Sequence, residues 1–164
     1  MNNPPVPFDS CHLCTKMINK GDLYYCCSSQ IETLEGIAYS VEEAEGLLMT
    51  CMVCWNLHEP HEHIESEQRK YLSQTLGKTI DKLYLEGEDN HYQCCLCNQE
   101  IVDGNPLYVI SHGLETLTER SVSVSDAWFG TICCVPCSRQ SNLLTNLKQI
   151  IAQYRLPETP NKSG

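Results

Sequence analysis

Apolar and polar positions change period several times along this 164-residue chain. Leu23-Tyr24-Tyr25-Cys26-Cys27 is a run of β-forming side chains that follows the turn signal Asn19-Lys20-Gly21-Asp22 and reads as a strand. Glu35-Gly36 then predicts a hairpin turn, and Ile37-Ala38-Tyr39 a return strand. Ser40-Val41-Glu42-Glu43 matches a capping box, which predicts a short helix over 41–48. Trp55 to His63 is polar and without period. From Ile64 the apolar or neutral positions Ile64, Tyr71, Leu72, Leu76, Ile80 and Leu83 lie on a helical stripe. They predict a helix over 64–85, about 33 Å long, with Gly77 weakening but not ending it. Gly87-Glu88-Asp89-Asn90 closes that helix and predicts a boundary. The order then recurs: a turn at Asp103-Gly104-Asn105-Pro106, a strand at Leu107-Tyr108-Val109-Ile110 and a return strand over 119–124. Leu143, Leu144, Leu147, Ile150, Ile151 and Tyr154 mark one face of an amphipathic helix, which Pro157 stops.

The recurrence is literal. Sliding the chain by 83 positions lays residues 11–54 on 94–137 without a gap and gives 15 identities in 44 positions. Random overlay would give roughly one in sixteen, so the pattern reads as an internal duplication. Cys11, Cys14, Cys51 and Cys54 fall on Cys94, Cys97, Cys134 and Cys137; among the other identities are Ile18/Ile101, Gly21/Gly104, Tyr25/Tyr108, Glu32/Glu115 and Ala44/Ala127.

Two Cys-x-x-Cys pairs per copy suit zinc, which takes four thiolates in a tetrahedron at about 2.3 Å. A two-residue gap lets one tight turn deliver two sulfurs, and two such turns close the shell. A closed shell leaves no position for water or substrate, so each site is expected to be structural, with two zinc ions per chain. Iron or an Fe–S cluster would use the same ligand set and is the alternative. Disulfides need an oxidising compartment. The N-terminal residues show neither a basic nor an apolar signal region, so a cytoplasmic location is expected. No apolar run approaches a membrane span. Cys26, Cys27, Cys95 and Cys133 lie outside the repeated set and are expected to be small buried hydrophobes.

A Cys knuckle, a β-hairpin and a closing Cys pair at the start of a helix resemble the treble-clef zinc fingers. The resemblance rests on the eight repeated cysteines, with Gly21 and Gly104 where the chain leaves each knuckle, and covers about 11–70 and 94–154. It implies an α+β fold of two treble-clef-like zinc-binding units joined by a long helix. The expected division is an arm (1–10), a first unit with its connecting helix (11–87), a second unit (88–156) and a tail (157–164). The fold hosts many roles and does not specify one.

Charge narrows the function. The formal net charge is −10, and residues 1–93 hold 15 acidic against 6 basic side chains. Such a surface repels phosphate backbones, so nucleic-acid binding is disfavoured and is confined to the surroundings of Arg139, Lys148 and Arg155. A protein partner is the expected ligand, and the chain is expected to act as an adaptor, regulator or inhibitor rather than as an enzyme. His58, His61 and His63, with Glu59 and Glu62, are the one candidate for a second chemistry. In nucleases of the His-Asn-His type, which resemble treble clefs, histidines near the finger hold a catalytic ion. Here the cluster follows the closing Cys pair, which favours a solvated linker. His12, His91 and His112 are isolated in the sequence.

Overall fold

The computed structural model describes residues 10–119 and 121–154. Two long hairpins dominate it. Strands β1 (Leu23–Glu35) and β2 (Ala38–Cys51) form the first, and β6 (Pro106–Leu117) and β7 (Val122–Cys134) the second. The two join edge to edge through β1 and β6 into a four-stranded antiparallel sheet of order β2-β1-β6-β7. Short strands β3 (Leu85–Glu86), β4 (Tyr92–Gln93) and β5 (Glu100–Ile101) make a second, three-stranded sheet.

Positions 83 apart occupy corresponding places. In the first hairpin Tyr24 pairs with Cys51, and in the second Leu107 pairs with Cys134. Both hairpins shift register at one equivalent step, Cys27/Ser28 and Ile110/Ser111. Left-handed backbone recurs at Thr15 and Asn98, at Gly21 and Gly104, and at Glu59 and Asn142. Across the β1–β6 seam Ser28 faces Ser111, its own counterpart, and their hydroxyls lie 3.0 Å apart. An approximate two-fold axis therefore passes through that pair.

Alternation along a strand sends successive side chains to opposite faces. Tyr25, Cys27, Ile31, Tyr108, Ile110 and His112 lie on one face. Against it pack the helices α1 (Met52–His58), α2 (Pro60–Leu76), α3 (Val135–Gln140) and α4 (Leu143–Ala152). Ile64 and Leu72 of α2 and Leu143 and Leu147 of α4 are fully buried there. On the opposite face the Cys11–Cys14 knuckle covers Tyr24 and Met49 at one end. The Cys94–Cys97 knuckle and Leu83, Tyr92 and Ile101 cluster with Leu107, Val109 and Ile132 at the other.

Several sequence expectations are corrected. Residues 41–48 form the middle of β2, not a helix: Thr33, Glu32 and Ile31 pair with Ser40, Val41 and Glu42, and this ladder overrides the capping-box signal. The second return strand runs over 122–134 rather than 119–124. The segment 55–63 is helical, because Glu59 takes a left-handed conformation that ends α1 while Pro60 opens α2. The helix expected over 64–85 is α2, which ends at Leu76. Gly77 adopts φ 67° and its N–H bonds to the Ser73 carbonyl, a glycine cap. Ile80 and Leu83 are still buried, so the apolar stripe continues through irregular chain. Among the described residues no long helix joins the halves; the β1–β6 pairing does. Asn142 opens α4, which buries Leu143, Leu147, Ile150 and Ile151 of the expected helical face. Apart from Ser10, the expected arm (1–10) and tail (157–164) lie outside the described residues.

Candidate metal centres

Each knuckle is a tight turn fixed by backbone hydrogen bonds. The Cys11 N–H donates to the Lys16 carbonyl (2.8 Å) and the Thr15 N–H to the Cys11 carbonyl (2.9 Å). Cys94 and Asn98 repeat this with Gln99 and Cys94 carbonyls, both at 2.9 Å. The turn closes through a left-handed residue, Thr15 (φ 65°) or Asn98 (φ 66°), a conformation that asparagine tolerates well. Each knuckle is then pinned to the outgoing strand of its hairpin. The His12 N–H donates to the Met49 carbonyl (2.9 Å), and the Cys95 N–H to that of Ile132 (3.3 Å).

The hairpins carry the second Cys pair back to the first. Cys51 ends β2 and is the residue before α1; Cys134 ends β7 and precedes α3. Cys54 and Cys137 follow in the first helical turn. The result is two groups, Cys11/Cys14/Cys51/Cys54 and Cys94/Cys97/Cys134/Cys137, in each of which the sulfurs lie within 4.8 Å of one another. A tetrahedron of sulfurs about 2.3 Å from a zinc ion has edges of about 3.8 Å. Cys14 Sγ is 3.8 Å from Cys51 Sγ, and Cys97 Sγ is 4.0 Å from Cys134 Sγ. Both groups therefore have the spacing of a closed tetrahedral thiolate site, and the two sets are the repeated cysteines of the sequence.

The electrostatics prepare the buried thiol of each knuckle to ionise. Burial raises Cys11, but the backbone groups of Cys14, Cys51 and Leu13 outweigh it and bring the thiol down to about 7; the Leu13 N–H lies 3.4 Å from its sulfur. Cys94 is lowered further, to about 4, first by a hydrogen bond from Cys133 and then, against burial, by backbone donors. The N–H groups of Leu96 and Cys97 each lie 3.4 Å from its sulfur. Cys54 and Cys137 are raised by burial, by hydrogen bonds to neighbouring sulfurs and by repulsion from the charge of Cys11 or Cys94, since no counter-charge lies among the sulfurs. A divalent ion removes that repulsion, so each group fits one, and four thiolates are the set zinc takes in structural sites.

The remaining cysteines divide. Cys27, Cys95 and Cys133 are buried, and burial pushes Cys95 up to about 12. Cys133 differs in having a role that sequence reading missed, as donor to Cys94. Its only sequence signal is adjacency to Cys134. Thr50 holds the equivalent place in the first unit, and its hydroxyl is buried with no partner among the described residues.

The histidines 58, 61 and 63 do not converge. His58 is exposed at the end of α1. His61 packs among Tyr25, Trp55, His112 and Trp128. His63 meets the edge of Tyr154, with ring centroids 5.1 Å apart. Among the described residues, the two cysteine tetrads are the groups of metal-binding side chains brought together. His112, isolated in sequence, is buried in that aromatic cluster, where its Nδ1 lies 2.6 Å from the Tyr25 hydroxyl. Comparison with protein families, curated proteins and solved structures gives no match to this chain.

Proposed function

We propose that this chain is a zinc-stabilised protein-interaction module of two treble-clef-like units related by internal duplication. It holds two zinc ions and acts in the cytoplasm as an adaptor, regulator or inhibitor. The observation that carries this reading is the closure of both tetrads. Four thiolates fill a zinc ion's tetrahedron, so each ion supplies folding energy and rigidity rather than a reactive position. What such ions stabilise is the surface: a sheet pinned at both ends by knuckles.

Charge supports a protein partner over nucleic acid. The excess acid lies before residue 94. Two of the basic residues that could face phosphate are already engaged: Arg139 pairs with Glu43 (3.3 Å) and Lys148 with Glu45 (3.2 Å). Arg155 lies outside the described residues. A basic partner would be steered to this surface, whereas DNA would be repelled. No helix among the described residues is long and apolar enough to cross a membrane.

The test is a parallel binding experiment at ~150 mM salt, where exposed charges are screened beyond ~8 Å. The immobilised chain should retain a protein from a lysate of its host and release a duplex DNA probe. Micromolar or tighter duplex binding with a steep salt dependence would overturn the reading.

A further inference from the structure

The sheet face opposite the helices is covered at its two ends by the knuckles and open between them. The open part is a trough of about 620 Å³, within the ~300–1,000 Å³ usual for ligand sites. Its floor is polar: Ser28 and Ser111 on the pseudo-two-fold, with Gln30, Glu32 and Glu115 to either side. Aromatic rings of Tyr39, Tyr84 and Phe129 stand at its rim.

Glu32 and Glu115 are the same position of the two units, 83 residues apart. Glu32 is only 5% exposed. The Gln30 amide donates to it, and Tyr24 donates to Glu115 at 2.9 Å. Among the described residues neither carboxylate has a cationic partner, and no lysine or arginine lines the trough. A buried carboxylate without a cation is costly. Burial accordingly pushes Glu32 up, against the hydrogen bond from Gln30. Cys26, also in the trough, is pushed up to about 12 by burial and by the Glu115 charge, so it is a thiol and not a nucleophile.

Spacing defines the ligand. Counting four residues each way from the Ser28–Ser111 pair, the carboxylates lie roughly 26 Å apart along the strands at ~3.3 Å per residue. An extended chain covers that length in about eight residues. We propose that the trough receives an extended segment of a partner protein that bears a lysine or arginine near each end, one against Glu32 and one against Glu115. The aromatic rim packs on the aliphatic stems of those side chains and on the segment between them. This inference rests on the protein-interaction reading and gives it a place and a chemistry.

The test is selection of displayed, randomised nine-residue peptides on the full zinc-loaded chain at ~150 mM salt. Recovered sequences should carry basic residues near both ends. Glu32→Gln and Glu115→Gln, which keep shape and remove charge, should each weaken a recovered peptide at least ~10-fold, which at 1.4 kcal/mol per decade is a modest loss for a buried ion pair. Glu119→Gln, at the exposed Lys20 ion pair, should leave affinity unchanged. Circular dichroism and metal content show whether each variant is folded. Recovery of no peptide, recovery without basic enrichment, or undiminished affinity in both variants overturns the proposal. So does spermidine binding as tightly as the peptides, since the ligand would then be a free amine. A host protein retained equally by wild type and by the double variant would remove the trough and leave the interaction reading standing. Failure of the wild type to retain any protein would remove both.

Discussion

Acid should weaken this fold through His112 in particular. The imidazole is 3% exposed, stacks between Tyr25 and Trp128, and shares a 2.6 Å hydrogen bond between its Nδ1 and the Tyr25 hydroxyl. Either group can donate in that bond, so burial rather than the bond keeps the ring neutral. Burial, helped by the nearby His61, lowers the pKa from 6.5 to about 4. The unfolded chain therefore binds a proton near pH 6.5, while the native state resists until about pH 4. Stability from this group is complete above pH 6.5, is lost as pH falls, and levels off below pH 4. A shift of this size corresponds to ~3 kcal/mol at 1.36 kcal/mol per pH unit, a large part of the 5–15 kcal/mol typical of a folded domain. The assay is urea unfolding of wild type and His112→Gln at matched metal content between pH 4.5 and 7.5. Proton uptake by cysteines and carboxylates is common to both proteins and cancels in the difference. The wild type should lose ~2–3 kcal/mol more than the variant over that range. Equal pH slopes would refute the reasoning.

Further expectations follow from the cysteine sites and the sheet. Protein purified without added metal should contain two zinc ions per chain, and chelation should unfold most of it; less than about one tightly bound ion would contradict the tetrads as metal sites. Cys94→Ser should destabilise far more than Cys95→Ser, and Cys134→Ser more than Cys133→Ser. A lost ligand leaves an under-coordinated ion, whereas a lost buried thiol costs ~1–2 kcal/mol; like effects within either pair, by denaturant midpoint, would contradict Cys94 and Cys134 as the ligands. Cys133→Ala should reduce stability less than Cys94→Ser while raising the rate of zinc loss to a chromogenic chelator, since Cys94 then loses the donor that lowers it. Gly130→Ala should cost ~1–3 kcal/mol, because an added Cβ would collide with the His112 ring, its Cδ2 being 2.9 Å away.

The sequence by itself determined what depends on short spacings. A two-residue gap between cysteines dictates a turn that presents two sulfurs, and the 83-residue repeat identifies which eight of twelve cysteines form two equivalent sets. The structure gathers those eight into two tetrads. The starts of β1 and β6 were legible for the same reason, since β-branched and aromatic runs follow visible turns at Gly21 and Gly104. Tertiary structure decided what depends on partners distant in the chain. Residues 41–48 carry a helical start signal yet lie in a strand, because Ile31 to Thr33 offer a ladder that a short isolated helix cannot match. The chain leaves α2 at Gly77 although the apolar stripe runs on, because burial of Ile80 and Leu83 needs only a place in the core, not a helix. The seam between halves pairs residues 73–93 positions apart, from Thr33–Pro106 through Ser28–Ser111 to Leu23–Thr116, and nothing local announces it. His112 and Cys133 take their roles from that seam and from the hairpin beside it. Their chemistry comes from neighbours that only the assembled sheet supplies.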